Sequence, residues 1–302
     1  MIGMPIKLAI AGAAGRMGRR LVALASADAE LNVVAALEGP GCADLGRDAG
    51  ELAGVGAIGV RVAAEGLRNA SAAPVGAAFD VLIDFSTAAA TAGWIDWCVE
   101  IKRPIVIGTT GHDAAAQTRI RAAAQSIAVL KSANMSVGVN VLLRLAREVG
   151  ALLDDSYDVE VVESHHRFKV DAPSGTALAL IEAIQRGRTD AGRAVGEVNA
   201  SRAANQTEPG RPRDGSAPSN PAGPAARSDR APGEIGVHSL RIGDTVGEHS
   251  VQFGNLGETI TLAHSAHSRD TFAVGALRAA KWIAGRAPGL YGMEDVLFSG
   301  ER

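Results

Sequence analysis

The amino-acid sequence predicts an α/β fold: a doubly wound parallel sheet, followed by a second domain of α+β type built on a mixed or open sheet. Three observations carry this expectation. Short apolar runs alternate with helix-length segments as far as residue 131. Glycine supplies 36 of 302 residues and aromatics only 4%, a balance that suits tight βα turns better than an aromatic-rich sandwich. Beyond residue 153 the pattern changes, and strand-like runs gather between residues 235 and 264.

Residues 6–12 form an apolar run ending in glycine and read as a buried parallel strand. A glycine-rich turn, Gly12 to Gly18, leads into a helix from Arg16 to about Ala27, and Leu31–Glu38 is the next strand. Residues 39–80 are Gly/Ala-rich, with one further strand expected at 58–63. Val81–Phe85, Pro104–Gly108 and Ile127–Lys131 are strands, separated by helices from Thr87 to Glu100 and from Asp113 to Gln125. Ser136 is placed to cap a helix running from Val137 to about Leu153. Tyr157–Glu163 then reads as a strand and Ala177–Arg186 as a helix.

Strands follow at Ile235–Arg241, His249–Phe253 and Glu258–His264, with hairpin-like turns at Gly243-Asp244 and Asn255-Leu256-Gly257. Thr271 to about Ala284 is expected to be the final helix, returning to the first domain. Residues 187–232 are rich in Gly, Pro, Ser, Ala, Asn and Arg, and are expected to form a long mobile loop. The domains are accordingly drawn as 1–133 with 268–302, and 134–267.

The first chemical signal is the turn at Gly12, Gly15 and Gly18. A Gly-rich turn between strand and helix lets the backbone approach a pyrophosphate, and the helix start offers amides and a positive dipole end. Glu38 ends the second strand, where a carboxylate accepts hydrogen bonds from adenosine ribose hydroxyls and repels a 2′-phosphate. The expected ligand is therefore a nicotinamide dinucleotide on a Rossmann-type sheet, NADH being favoured over NADPH, with Arg16 as a possible counterweight. The loops Phe85-Ser86-Thr87 and Gly108-Thr109-Thr110-Gly111 lie at strand carboxyl ends, where such sheets bind ligands. Thr87 and Thr110 read equally well as helix caps.

The second signal is Glu163-Ser164-His165-His166-Arg167-Phe168-Lys169-Val170-Asp171-Ala172-Pro173-Ser174-Gly175-Thr176. It joins two imidazoles, a guanidinium and an ammonium to a helix start with open amides, a set suited to a small carboxylate and to proton transfer near neutral pH. A solvated basic loop is the competing reading. No metal site is expected, because His165-His166 and His264/His267 lack the accompanying carboxylate or cysteine spacing.

The formal net charge of −3 gives no footprint for nucleic acid. Cys42 and Cys98 form no CxxC pair. No run has the length of a membrane span and no signal-peptide pattern opens the chain, so the cytoplasm is the expected location.

These motifs resemble the 4-hydroxy-tetrahydrodipicolinate reductase (dihydrodipicolinate reductase) family. The matching segments are Gly12–Gly18, Ile83–Ser86, Val106–Gly111, Ser132–Asn140, Glu163–Thr176, Pro232–Gly236, Arg241–His249 and Arg269–Ala276. The resemblance implies NADH- or NADPH-dependent reduction of a ring dicarboxylate, with loss of water, in diaminopimelate and lysine biosynthesis. It implies a homotetramer built through the open-sheet substrate domain. By motif match, His165 and Lys169 are the catalytic pair, and His166, Gly175 and Thr176 contact substrate. Gly12, Ala13, Ala14, Gly15, Arg16, Met17, Glu38, Gly108, Thr109, Thr110, Ser132, Ala133, Asn134 and Met135 line the cofactor. The chain departs from the family at Gly39, where a basic residue is common, at Met135, where an aromatic is more familiar, and in its longer segment 187–229. Another Rossmann reductase acting on a small carboxylate, or a dinucleotide sensor without catalysis, are the rival readings.

Overall fold

The computed structural model describes residues 4–64, 79–200 and 231–300. These divide into two units: 1–141 with 268–302, and 142–267. Among the described residues no helix is long and apolar enough to cross a membrane.

The first unit is a seven-stranded sheet in the order β12-β6-β5-β4-β1-β2-β3. Its strands are β1 (Ile6–Ala11), β2 (Leu31–Glu38), β3 (Val62–Ala64), β4 (Val81–Asp84), β5 (Ile105–Ile107), β6 (Ala128–Lys131) and β12 (Gly289–Tyr291). All neighbours run parallel. The apolar runs are continuous because both faces are covered. Leu8, Ile10 and Ile83 pack with the helices α1 (Arg16–Ser26) and α7 (Asp270–Ile283), while Ala9, Ala11 and Leu82 face α3 (Ala88–Glu100) and α4 (Ala114–Ala123). Arg20 donates to both oxygens of Asp270 at 2.6 and 2.8 Å and so joins α1 to α7. The chain beyond residue 267 thus completes this unit.

Two parts of this unit escaped the sequence reading. A short helix, α2 (Ala49–Ala53), precedes β3; Asp48 caps it and also accepts from Ile58 N and Gly59 N. α7 is not the last element, because β12 and α8 (Met293–Phe298) follow it. Each of these pieces is too short for hydrophobic period to register. Residues 65–78, within the segment 39–80, lie outside the described residues.

The second unit is a five-stranded sheet in the order β11-β10-β7-β9-β8. These strands are β7 (Asp158–His165), β8 (Val198–Asn199), β9 (Ile235–Arg241), β10 (Gly247–Asn255) and β11 (Glu258–Ala266). β9 runs parallel to β7 and β10 antiparallel to it, so β7 lies between them. The turn at Gly243-Asp244 therefore spans a strand and is no hairpin, whereas Asn255–Gly257 does join the adjacent strands β10 and β11. One face is apolar: Val159 and Val161 of β7, Ile235 and Val237 of β9, and Val251 and Phe253 of β10. Against them pack Leu142 and Ala146 of α5 (Val137–Leu152), and Leu180, Ile181 and Ile184 of α6 (Gly175–Asp190).

The expected loop at 187–232 is wrong in its first part. α6 continues through Asp190 because Gly187 and Arg188 extend its buried face. A Cβ at Gly187 would stand 2.0 Å from the Arg147 carbonyl oxygen, so glycine is what lets the helices approach there. Arg188, only 3% exposed, donates to the Gly233 carbonyl at 2.8 Å. β8 then adds an edge strand to β9. The remainder of the expected loop, 201–230, lies outside the described residues.

Candidate active site

In the first unit the predicted dinucleotide residues gather at the carboxyl ends of the strands. Gly12 has φ +77°, and a Cβ there would lie 2.4 Å from the Phe85 carbonyl oxygen. A Cβ at Gly18 would lie 2.0 Å from the Gly12 oxygen. The turn is consequently drawn tight under the start of α1, which carries no side-chain cap. Helix-start amides in that condition, beside a backbone stripped of side chains, suit a phosphate. Glu38 Oε1 accepts from Ala14 N at 2.9 Å, so the acid and the glycine turn are in contact. Arg16 is exposed and Met17 half-buried.

The second cluster lies along β4, β5 and β6. A Cβ at Gly108 would overlap the Phe85 ring at 2.2 Å. Thr109 is buried and donates to the Asp84 carbonyl at 3.3 Å, while Thr110 is exposed. Thr87 caps α3, but Asp113 rather than Thr110 caps α4. Sequence reasoning passed over Asp84. It is fully buried and accepts from Ser86 N, Ser86 Oγ and Thr91 Oγ1 at 2.5–2.9 Å, fixing the turn after β4.

After β6, Ser132 Oγ donates to the Asn134 carbonyl and Ser136 N to Asn134 Oδ1. Ala133 is exposed. Ser136 Oγ accepts from Val139 N at 3.3 Å at the start of α5, the capping role expected. Met135 is 2% exposed and belongs to the apolar core of this unit.

In the second unit the site continues the core. Side chains on one face of a strand recur every second residue. After Val159 and Val161 the same face of β7 carries Glu163 and His165; after Ile235 and Val237, β9 carries Ser239 and Arg241; before Val251, β10 carries His249. β7 thus extends through His165, two residues past the predicted end.

His165 Nδ1 lies 2.5 Å from Glu163 Oε2. Glu163 Oε1 accepts from Ser174 N at 3.2 Å, and Arg241 donates to both carboxylate oxygens at 2.9 Å. Ser174 caps α6 by accepting from Ala177 N, and its hydroxyl lies 3.1 Å from His249 Nε2. The His249 ring meets His165 edge-on with centroids 5.1 Å apart. Lys169 pairs with Asp171 at 2.8 Å. His166 is half-buried, tilted against the exposed Phe168 ring, and Gly175 and Thr176 open α6.

The electrostatics follow from burial and neighbours. Burial pushes the Glu163 pKa up, but hydrogen bonds from Arg241, Ser239 and His165 outweigh it and bring it to about 2. Burial lowers the His165 pKa; Glu163 opposes this, and Lys169 and Arg241 add to it. His165, Lys169 and the α6 start therefore share one neighbourhood. The roles of Glu163, Arg241 and His249 were missed, and their signal was the period-two register of three strands distant in sequence.

A family model described as "Dihydrodipicolinate reductase, N-terminus" matches residues 6–135, and one described as "Dihydrodipicolinate reductase, C-terminus" matches residues 138–297. A 4-hydroxy-tetrahydrodipicolinate reductase of Thiobacillus denitrificans is 45% identical over 294 residues, covering 97% of this chain and 99% of that one. The fold resembles a solved dipicolinate-bound dihydrodipicolinate reductase from Paenisporosarcina sp. TG-14, with TM-score 0.67 at 24% identity, over 97% of this chain and 100% of that one. It also resembles an amine dehydrogenase from Mycobacterium smegmatis, with TM-score 0.60 at 13% identity, over 96% and 95% of the two chains. Two family models that together span nearly the whole sequence, and 45% identity carried from end to end, establish that the chain belongs to the dihydrodipicolinate reductase family.

Proposed function

We propose that this protein carries out the reaction for which its family is named: NAD(P)H-dependent reduction of 4-hydroxy-tetrahydrodipicolinate to tetrahydrodipicolinate with loss of water, in diaminopimelate and lysine biosynthesis. The observation that carries the proposal is the grouping of His165, Lys169 and the α6 N-terminus around one buried carboxylate. In this reading the first unit holds the dinucleotide and the second holds substrate and forms a homotetramer. The nicotinamide, when bound, supplies the hydride.

Gly12, Ala13, Ala14, Gly15, Arg16 and Met17 receive the pyrophosphate, Glu38 the adenosine ribose, and Gly108–Thr110 with Ser132–Met135 the nicotinamide half. Glu38 followed by Gly39 favours NADH, because a carboxylate not followed by a basic residue repels a 2′-phosphate. The substrate is a ring dianion. Lys169, His166 and the amides of Gly175 and Thr176 neutralise and orient its carboxylates. His165 provides the proton that quenches charge developing on the ring, and Lys169 is the second proton source. Burial holds the His165 pKa down in the free protein, and a dianion arriving beside it favours the protonated form.

A coupled assay on enzymatically generated substrate, run with NADH and with NADPH, tests activity and preference together. A large kcat/KM advantage for NADPH would overturn the cofactor assignment. His165→Gln and Lys169→Ala are expected to lower kcat by about 10²–10⁴-fold while leaving NADH titration unchanged. Near-wild-type kcat in both would refute the assigned roles. Light scattering of the purified chain tests the tetramer.

A further inference from the structure

Among the described acids of the second unit, Glu163 alone is fully buried. Each of its oxygens has at least two donors facing it, and Ser239 also bonds the carboxylate. Oε1 accepts from Ser174 N and from Arg241 Nη2, and Oε2 accepts from Arg241 Nη1 and faces His165 Nδ1. An ionised carboxylate can only accept. The His165 nitrogen that faces it must therefore carry hydrogen, which fixes the neutral ring as its Nδ1–H tautomer. The second proton, when it arrives, can reside only on Nε2. That atom lies beside Gly247, where a Cβ would come within 3.1 Å of it.

Arg241 extends the same connection. Beyond its fork on Glu163 it donates from Nε to the Lys169 carbonyl at 3.3 Å and from Nη2 to the Asp171 carbonyl at 2.6 Å. The loop that carries the catalytic lysine is thus fastened to the carboxylate that orients the histidine. Ser174, the cap of the substrate-facing helix, is fastened to it as well.

We infer that the buried Glu163–Arg241 pair is the positioning element of this site, holding His165 as the Nδ1–H tautomer so that Nε2 is its proton-donating atom, and tying the Lys169 loop and the α6 start to the same point. The inference rests on the reading of His165 as proton donor. Neither Glu163 nor Arg241 is a catalytic residue; both act through others.

The charged and titratable groups around His165 set the sign of the test. Glu163 faces it from its own strand, Lys169 (paired with Asp171) from the following loop, Arg241 from β9 and His249 from β10, with His264 of β11 beyond His249. Glu163 is the one that favours the charged ring; Lys169 and Arg241 oppose it. Glu163→Gln removes the stabilising charge, so His165 becomes harder to protonate. A proton donor is lost as pH rises through its pKa, so the basic limb of the kcat profile moves to lower pH.

The experiment combines that profile with ¹⁵N NMR of histidine-labelled full-length protein, with and without NADH, His165 being assigned by its loss in His165→Gln. In the wild type, neutral His165 is expected to carry its hydrogen on Nδ1. In Glu163→Gln, kcat is expected to fall on the order of 10²–10⁴-fold with NADH affinity unchanged, and the basic limb to move down by about 1 pH unit or more. An Nε2–H tautomer in the wild type, or wild-type kcat with an unmoved limb in Glu163→Gln, overturns the inference.

Wild-type turnover in His165→Gln would instead sink the proton-donor reading, while the tautomer measurement still reports on Glu163. An amide at position 163 must set a donor against a donor, so Arg241→Lys serves as the second variant. It keeps a cation but loses the fork. It is expected to raise substrate KM several-fold without altering NADH affinity, and unchanged KM and kcat would overturn the role given to Arg241.

Discussion

His249 makes the stability of this protein depend on pH in a window that can be specified in advance. The ring is 4% exposed, with Nε2 on the Ser174 hydroxyl. Burial, followed by the field of His165, lowers its pKa from 6.5 to about 4; Glu163 pulls the other way, and His264 and Lys169 lower it further. The folded pKa is thus below the unfolded one. Between the two values the unfolded chain binds a proton that the folded chain refuses, so stability rises with pH there. The full contribution is present above pH 6.5 and is lost progressively as pH falls toward 4. At about 1.4 kcal/mol per unit, a shift of roughly 2.5 units corresponds to about 3 kcal/mol.

The window overlaps that of Glu163 only at its lower end. That carboxylate, with a pKa lowered from 4.5 to about 2, loses its contribution below pH 4.5. Glutamine at position 249 keeps an amide within reach of Ser174 and does not titrate. Urea unfolding of wild type and His249→Gln, followed by circular dichroism at fixed protein concentration from pH 4.5 to 7.5, isolates the histidine. The wild type is expected to lose roughly 2.5 kcal/mol relative to the variant on going from pH 7 to 4.5. Parallel stability curves would refute the assignment of His249 as a buried neutral ring.

Three further outcomes follow from the packing. In Gly18→Ala the new methyl meets the Gly12 carbonyl at 2.0 Å, backbone against backbone; a loss of about 1–3 kcal/mol and weaker NADH binding are expected, and an unchanged melting temperature and titration would contradict it. Arg188→Ala leaves the Gly233 and Tyr157 carbonyls without their buried donor and is expected to cost about 2–3 kcal/mol in thermal unfolding; a change under about 0.5 kcal/mol, the usual surface effect, would show that the contact is dispensable. Gly247→Ala brings a methyl to 3.1 Å from His165 Nε2; kcat is expected to fall with NADH affinity intact, and an unaltered kcat would mean the ring edge has room to move.

The first unit was legible because its signals are local. A glycine turn, an apolar run and a terminal acid all lie within residues 6–38, and the structure places Glu38 on the turn through Ala14. α2, β12 and α8 were not legible, since five, three and six residues are too few to display a period. In the second unit the basic block was legible as chemistry, but its partners were not. Arg241 is 78 residues from Glu163, and Ser174 is 75 from His249. Strand order decides such pairs, and sequence proximity misled it at Gly243-Asp244, where a strand intervenes. The end of α6 was misplaced because Gly187 and Arg188 look like loop residues by composition. In the structure the glycine permits close helix contact and the arginine finds a buried carbonyl.

The site is the end of a hydrophobic core in which the residue type changes while the register does not. Val159 and Val161 bury apolar surface; Glu163 and His165, next on the same face, bury charge and a titratable ring. Burying an ion pair costs more desolvation than apolar packing of the same volume, and such pairs are frequently replaceable by hydrophobic residues without loss of stability. Continuing the valine pattern through residue 163 would therefore have served the fold at least as well. What an apolar residue could not do is accept from several donors at once, among them the histidine, the cap of α6 and the arginine that holds the Lys169 loop. In the proposed reading, the three groups that meet one small dianion come from a strand, a loop and a helix. A single carboxylate at their junction sets their spacing more rigidly than packing alone, because each hydrogen bond constrains direction as well as distance.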